Sequence, residues 1–221
     1  MFKHIAIAST LGALTATSAL AATNATAMTD LNLRTAPGPQ AQIIDVIPGE
    51  AMVSVEQCAD ISQWCKVTYD GQEGWAYGAY LNAPMEGTAE PVVVYDNRDQ
   101  LQIETVKVTD EENKLGGALA GGTAGAIAAL AAAGGPATIA GAVAAGMFTG
   151  GALTPSEEKV VTYVRQNPAE PVYVQGEVVR GVAIPEEVEL RAIPDSDYRY
   201  VYLNGVPAVV DGNRTVVTVV R

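Results

Sequence analysis

The sequence predicts a mainly β protein in which two small β-rich modules flank a Gly/Ala-rich helical hairpin. Three observations support this fold class. Residues 26–82 and residues 158–221 both contain short runs of β-branched and aromatic residues, separated by Gly, Pro and Asn turn signals. Between them, residues 115–153 carry no charged side chain. The chain of 221 residues is long enough for two small domains and a connecting segment.

The charge of the chain narrows the classes of function. There are 13 Lys and Arg residues against 25 Asp and Glu residues, which gives a formal net charge of −12 at pH 7. Such an acidic surface repels phosphate, so we expect no nucleic-acid partner.

The single histidine, His4, lies in a segment that we expect to be removed, and most acid–base and metal chemistry at neutral pH uses imidazole. A large class of enzymes is therefore disfavoured, and we expect no catalytic residues, no cofactor and no metal site.

Residues 1–21 have the three-part pattern of a cleaved export signal. Lys3 supplies a positive n-region, residues 5–20 form an apolar h-region, and Ala19 and Ala21 supply the small residues at positions −3 and −1. The alternatives are a retained membrane anchor or an Ala-rich helix of a cytosolic domain, but the apolar run is short for a membrane span. We expect cleavage after Ala21 and a periplasmic or cell-envelope location.

Residues 26–82 are predicted to form a small barrel of about five short strands. Residues 51–55 and 67–69 alternate between apolar and polar side chains, and Asp70-Gly71 suits a tight hairpin turn. The predicted core consists of eight apolar or aromatic side chains, namely Leu31, Leu33, Ile44, Val46, Val53, Val55, Val67 and Trp75.

Motifs in this region resemble the bacterial SH3-like domain. Leu31-Asn32-Leu33-Arg34-Thr35-Ala36-Pro37-Gly38 is similar to the opening of that family, although Ala36 stands where the family usually has Gly. Trp64-Cys65-Lys66-Val67, Gly74-Trp75-Ala76-Tyr77 and Tyr80-Leu81 follow in the family's order. The resemblance implies an aromatic groove for cell-wall peptide, with candidate ligand-binding residues Asn32, Arg34, Trp64, Trp75, Tyr77 and Tyr80. The alternative role for these aromatics is packing.

Cys58 and Cys65 are the two cysteines of the chain. Their spacing puts them on the two arms of one predicted hairpin, joined by residues 59–64. An oxidising periplasm favours a structural disulfide between them. A redox-active pair or a metal site is the alternative, but the spacing is not C-x-x-C and the mature chain would have no histidine.

Residues 83–114 are predicted to be an acidic linker, because three Lys or Arg residues stand there against eight Asp or Glu residues. Within this segment, residues 92–95 and 101–108 fit short extra strands.

Residues 115–153 are predicted to form a glycine-zipper helical hairpin, a pattern similar to stretches in many small exported envelope proteins. The segment contains 15 Ala and 11 Gly residues. Small residues recur every four positions in each half, at Gly117, Gly121 and Gly125 and at Ala142, Gly146 and Gly150. Residues four apart share a helix face, and bare glycines allow a second helix to approach closely. Three interpretations remain open, namely a membrane-inserted hairpin, a soluble hairpin that packs on itself or self-associates, and a flexible linker.

Residues 158–221 are predicted to be a small β-rich (α+β) domain. Strand-like segments occur at residues 160–164, 172–174, 178–179, 188–190, 198–203, 206–210 and 215–220. Asn204-Gly205 is a strong signal for a two-residue hairpin turn. The pattern from Gly181 to Pro194, followed by Tyr198-Arg199-Tyr200 and Asn204-Gly205, resembles a C-terminal domain of unknown function in exported Gram-negative proteins. That resemblance transfers no catalytic residue.

These observations favour a non-enzymatic envelope protein whose SH3-like module binds cell-wall peptide or an envelope partner. Membrane association and self-association through the glycine zipper are the further expectations. The alternative is an accessory factor or carboxylate-dependent hydrolase acting on peptidoglycan, with acidic clusters at Glu186, Glu187 and Glu189 and at Asp195 and Asp197. Without a surrounding motif, such charge clusters are more typical of solvated loops.

Overall fold

The computed structural model describes residues 22–108 and 155–221. Their secondary structure is mainly β, as the sequence predicts, with a helix between the N-terminal β region and a C-terminal sheet. The strands of the N-terminal region are β1 (Thr23–Ala27), β2 (Leu31–Arg34), β3 (Ile43–Ile47), β4 (Met52–Ala59), β5 (Trp64–Tyr69), β6 (Gln72–Tyr77), β7 (Leu81–Ala83), β8 (Val92–Val93) and β9 (Glu104–Val106). The C-terminal region contains α1 (Pro155–Gln166), β10 (Arg191–Ala192), β11 (Arg199–Leu203), β12 (Val206–Val210) and β13 (Val216–Val219).

The N-terminal strands form one nine-stranded sheet, in the order β3-β2-β6-β5-β4-β1-β7-β8, with β9 parallel to β4. The predicted hairpin turn between β5 and β6 is present, and its two residues have the positive φ that such a turn requires, +47° at Asp70 and +79° at Gly71. Strands β2 and β6 pass close together at Gly74, where an added Cβ would lie 2.6 Å from Leu33 Cγ. A side chain at this position would therefore force the two strands apart.

The predicted core of this region is confirmed at five buried positions, which are Leu31, Leu33, Val53, Val55 and Val67.

The prediction that Trp75 lies in the core is wrong. Along β6 the buried residues are Gly74 and Ala76, so alternation directs Trp75 and Tyr77 outward, and both are partly exposed. Ile44 and Val46 are also partly exposed, because β3 is an edge strand. The fully buried tryptophan is instead Trp64, at 1% exposure.

Residues 83–108 pack onto the barrel, which corrects the prediction of a linker for this part of the 83–114 segment. Strand β8 pairs with β7, and β9 pairs with β4. The two predicted extra strands are thus present, although shorter than predicted. Val94 and Ile103 hold the segment in place because both are buried in the core. At the other end, β1 begins at Thr23, before the predicted start of the module, and pairs with β4 and β7.

The C-terminal strands form an antiparallel sheet in the order β10-β11-β12-β13. The predicted Asn204-Gly205 turn joins β11 to β12, with φ of +51° and +84°. The predicted segments 172–174, 178–179 and 188–190 are irregular in the structure, apart from an isolated bridge between Val172 and Leu203. Positive φ at Gly176 and Gly181 interrupts the extended backbone there.

The predicted strand at residues 160–164 is wrong, because this segment belongs to helix α1. Val160 and Val164 are four residues apart and therefore share the buried side of the helix. Glu157 and Glu158 lie in the first turn and Arg165 in the last, where each charge interacts favourably with the helix dipole. The helical spacing of the valines, together with these terminal charges, outweighs their β propensity.

The two regions share one hydrophobic core. The same cluster includes Leu31 and Leu33 of β2 and also Val174, Val178 and Leu203 of the C-terminal region. The C-terminal region therefore packs directly on the N-terminal module.

The predicted export signal at 1–21 and the predicted glycine zipper at 115–153 lie outside the described residues, and both stay predictions. Within residues 22–108 and 155–221, no helix combines the length and the apolar character that a membrane span needs.

Candidate functional site

The outward face of β2 is covered by the C-terminal region. Alternation along Leu31–Arg34 directs the two leucines into the barrel, so Asn32 and Arg34 face outward. Both outward residues are nevertheless only 1% exposed. A polar face of a β-strand that is buried to this degree must have partners elsewhere in the fold.

Arg34 is anchored first by its own module. Its Nη1 donates hydrogen bonds to the carbonyl oxygens of Pro39 and Ala41, at 3.1 and 2.9 Å. Its Nη2 donates to the carbonyl oxygen of Asn204, at 3.1 Å. Its Nε faces Glu177 Oε2 at 3.4 Å, and this pair is a salt bridge between two buried side chains. Three carbonyl oxygens therefore hold the guanidinium group in position independently of the Glu177 carboxylate.

The Glu177 carboxylate is the centre of the site. Its Oε1 accepts a 2.6 Å hydrogen bond from Asn32 Nδ2 and a 3.1 Å bond from the backbone N–H of Val178. Its Oε2 faces Arg34. Desolvation of a charge is costly unless partners compensate for it, and the three donors provide that compensation.

Asn204 holds the segment that carries Glu177. The Asn204 side chain accepts a hydrogen bond from Val174 N–H and donates one to the carbonyl oxygen of Gly176, both at 2.9 Å. Its backbone N–H donates to the carbonyl oxygen of Val172 at 3.0 Å. The β11–β12 turn therefore shapes the 172–177 segment and presents Glu177 to the N-terminal module.

Aromatic rings line one side of the site. Trp64 and Tyr77 pack edge to face with ring centroids 5.3 Å apart, and Tyr77 and Tyr80 are 5.8 Å apart. The Arg34 Cζ lies 5.6 Å from the centroid of Trp64, within the range of a cation–π contact. Tyr77 Oη also donates a hydrogen bond to Gln63 Oε1.

The contacts above link five of the six predicted ligand-binding residues. The sixth, Trp75, lies on the same outward face of the sheet, directly opposite Arg34 in the β2–β6 register, and is partly exposed.

The environment favours neutral tyrosines. Burial raises the pKa of Tyr77 to about 12, and Tyr80, Glu177 and Tyr95 add to the shift. Burial also raises the pKa of Tyr80, with a further contribution from Glu177. A negative phenolate beside the buried carboxylate would be unfavourable, so both hydroxyl groups stay protonated at neutral pH.

The predicted disulfide between Cys58 and Cys65 is confirmed. The two residues are directly opposite each other on β4 and β5, with Cα atoms 3.9 Å apart. Trp64 immediately precedes Cys65, so the bond fixes the strand that carries this ring. Gly78 leaves room for the sulfur, because an added Cβ there would lie 2.6 Å from Cys65 Sγ.

Two further features complete the site. Arg221 forms a salt bridge with Asp30 at 3.6 Å, at the partly exposed rim between the two regions.

In the interior, Asn32 Oδ1 has no hydrogen-bond partner within the described part of the chain. One buried acceptor in the site is thus unsatisfied.

Sequence reasoning missed the residues contributed by the C-terminal region. Glu177 stands in Val-Gln-Gly-Glu-Val-Val, and nothing local marks this glutamate as buried. The Asn204-Gly205 pair predicted a hairpin turn, but it did not predict that the Asn204 side chain would bind the 172–177 segment. Arg221 at the end of the sequence carried no signal.

The acidic clusters considered for catalysis lie elsewhere. All five side chains are exposed, namely Glu186, Glu187, Glu189, Asp195 and Asp197. In residues 22–108 and 155–221, no three His, Cys, Asp or Glu side chains are grouped so that they could hold a metal ion.

Comparison with known families supports both predicted modules. Residues 29–82 match the family model of the bacterial SH3 domain. Residues 163–221 match the model of a domain of unknown function (DUF1236). A comparison with curated proteins found no match. The family models suggest a binding module, and the chain combines a bacterial SH3 domain with a C-terminal DUF1236 domain.

Proposed function

We propose that this protein is a non-enzymatic binding protein of the cell envelope, whose SH3 domain recognises a peptide of the cell wall or of an envelope partner. The observation that carries the proposal is the cluster of Asn32, Arg34, Trp64, Tyr77 and Tyr80. Within it, Asn32 and Arg34 hold the Glu177 side chain of this same chain by hydrogen bonds, and the three aromatic rings pack together beside Arg34. Arginine and large aromatic side chains dominate the binding energy of many protein interfaces. A cluster of this composition is suited to peptide recognition.

The location in the envelope is supported by two independent features. Residues 1–21 have the pattern of an export signal. The Cys58–Cys65 disulfide is consistent with export, because such bonds form and persist mainly in oxidising compartments.

The absence of catalysis is proposed from the chemistry of the available groups. The two cysteines are joined in a disulfide, and the predicted mature chain contains no histidine. The alternative, a carboxylate-dependent hydrolase of peptidoglycan, predicts release of soluble fragments from purified cell walls. We expect no release above the protein-free rate. Turnover that disappears in the Glu186→Gln or Asp195→Asn variant would establish the hydrolase instead.

Binding is tested by sedimentation of the mature protein with purified peptidoglycan. The informative variant is Trp75→Ala, because Trp75 lies on the outward face beside the cluster and is partly exposed. Met52→Ala is the matched control, since Met52 is 76% exposed on β4, and its loss removes apolar surface elsewhere. We expect the wild type and Met52→Ala to sediment with the wall and Trp75→Ala to sediment less. Equal behaviour of the two variants would place binding on another surface, and no sedimentation at all would exclude the wall ligand.

A further inference from the structure

We infer that the SH3 domain carries a recognition pocket for a glutamate side chain in a valine-flanked peptide, and that Glu177 of the C-terminal domain occupies this pocket as an internal ligand. This inference rests on the proposed function and specifies its ligand. The ligand class is a peptide with one carboxylate between small and β-branched residues, as in residues 174–179 of the chain itself.

The pocket is built largely by the SH3 domain. Asn32 and Arg34 come from β2, and the aromatic wall of Trp64, Tyr77 and Tyr80 comes from β5, β6 and the turn that follows. Arg34 Nη1 is held by the carbonyl oxygens of Pro39 and Ala41, which belong to the same domain. A donor group fixed in this way does not have to be ordered when a ligand binds, which favours affinity.

Glu177 is recognised in the way that a bound peptide would be. The side-chain donors to its carboxylate, Asn32 Nδ2 and Arg34 Nε, both come from the SH3 domain. The flanking Val174, Val178 and Val179 are buried in the shared core. The contact therefore combines a charged centre with apolar flanks, as peptide-binding sites commonly do.

The internal ligand leaves one polar group unsatisfied. Asn32 is 1% exposed, and its Oδ1 has no hydrogen-bond partner among the described residues. A ligand that places an N–H group beside its carboxylate would satisfy this acceptor and gain one hydrogen bond over the internal segment. An external ligand with such a group can thus compete with the internal segment, whereas a peptide of the internal sequence binds tightly only when the internal contact is weakened.

Because the internal segment and an external peptide compete for the pocket, the apparent affinity for the external peptide depends on the fraction of molecules in which Glu177 has left the pocket. When the binding-competent state is a small fraction of the population, the apparent Kd rises by the inverse of that fraction. Weakening the internal contact should therefore tighten external binding.

The experiment uses the full mature chain and two synthetic peptides in calorimetry. The first peptide is acetyl-Val-Gln-Gly-Glu-Val-Val-amide, and in the second a glutamine replaces the glutamate. Glu177→Gln removes the internal charge while it keeps the size of the side chain, and Glu189→Gln changes an exposed carboxylate of the same domain. We expect Glu177→Gln to bind the first peptide about tenfold more tightly than wild type does. We expect Glu189→Gln to match wild type, and the uncharged peptide to bind none of the three proteins.

A second variant weakens the interface at its rim and leaves Glu177 and its donors Asn32 and Arg34 in place. Arg221→Ala removes the rim salt bridge with Asp30, so it should also increase peptide affinity, by a smaller factor. Circular dichroism and thermal melting verify that each variant is folded. If Glu177→Gln does not fold, Arg221→Ala decides the question. If wild type, folded Glu177→Gln and Arg221→Ala bind the first peptide with equal affinity, or if the two peptides bind equally, the inference is overturned and Glu177 is a structural interdomain contact.

The peptidoglycan assay separates this inference from the proposed function. If the variants bind the glutamate peptide but not the cell wall, the pocket is established and the wall ligand is rejected. If the wild type binds the wall and the peptide affinity is unchanged by the variants, the wall ligand stands and the internal-ligand inference is rejected.

Discussion

Asn32 Nδ2 donates a 2.6 Å hydrogen bond to Glu177 Oε1, which joins two buried side chains 145 residues apart in the sequence. Together with the salt bridge between Arg34 and Glu177, this bond forms the polar centre of an otherwise apolar contact between the two domains. Such a centre favours this placement of the domains, because a domain movement that separates the carboxylate from its donors leaves buried polar groups unpaired.

Removing the Glu177 carboxylate should destabilise the protein strongly. Glu177→Ala leaves the Arg34 guanidinium buried without its charged partner, and breaking a buried pair in this way costs about 3–5 kcal/mol. Glu189→Ala, at an exposed carboxylate, should change the free energy of unfolding by less than about 0.5 kcal/mol. Urea unfolding followed by tryptophan fluorescence measures both values. Similar stability of the two variants would show that the buried pair contributes little.

Tyr77 should ionise only at strongly alkaline pH, since its pKa is raised to about 12. In the unfolded chain the phenol titrates near its ordinary value of about 10. Between these two values the folded state holds a proton that the unfolded state has released, so stability falls as pH rises through this window. Below pH 10 the stabilisation is fully present.

Ultraviolet titration of phenolate absorbance checks this expectation. The wild type should show a component with a pKa near 12 that is missing in Tyr77→Phe. The same variant should lose less stability than wild type between pH 10 and pH 12. A titration curve unchanged by the substitution would contradict the assignment.

The Cys58–Cys65 disulfide should stabilise the SH3 domain. In the chain-entropy model a bond that closes so short a loop contributes about 2 kcal/mol. We expect protein purified from its native compartment to contain no alkylatable thiol by mass spectrometry without reductant. Replacement of both cysteines by Ser should lower the free energy of unfolding by about this amount. Two free thiols in the native material would argue against an oxidising location.

The predicted glycine zipper makes a separate prediction about association. Gly121→Leu places a bulky side chain in the row of Gly117, Gly121 and Gly125, where two helix backbones must approach, so it should weaken association. Ala128→Leu lies off this row and should matter less. Retention in carbonate-washed membranes and chemical cross-linking compare the two variants with wild type. If both behave like wild type, the segment is a linker.

Local sequence patterns predict much of the fold. Motif order predicts the SH3 domain and the C-terminal domain, and both are confirmed by the family models. The turns at Asp70-Gly71 and Asn204-Gly205 are confirmed because positive φ is a property of the local residues. The Cys58–Cys65 bond is confirmed because the hairpin spacing places the two residues opposite each other.

The error at residues 160–164 shows where local patterns fail. A run of valines and aromatic residues predicts a strand, but the segment is helical because Val160 and Val164 bury one side of α1. The β propensities of these residues favour a strand by less free energy than the burial of two valine side chains contributes to the helix, so packing decides the secondary structure.

The sequence by itself determined the two β modules, their turns, the disulfide and the identity of the polar and aromatic residues on β2, β5 and β6. Tertiary structure alone decided what those residues contact. Alternation along Leu31–Arg34 predicts that Asn32 and Arg34 leave the barrel interior, and on an isolated module they would face water. They are buried because the C-terminal domain covers them and supplies Glu177. The local sequence does not indicate this contact, because the groups that compensate the buried charge for its lost hydration lie far away in the chain.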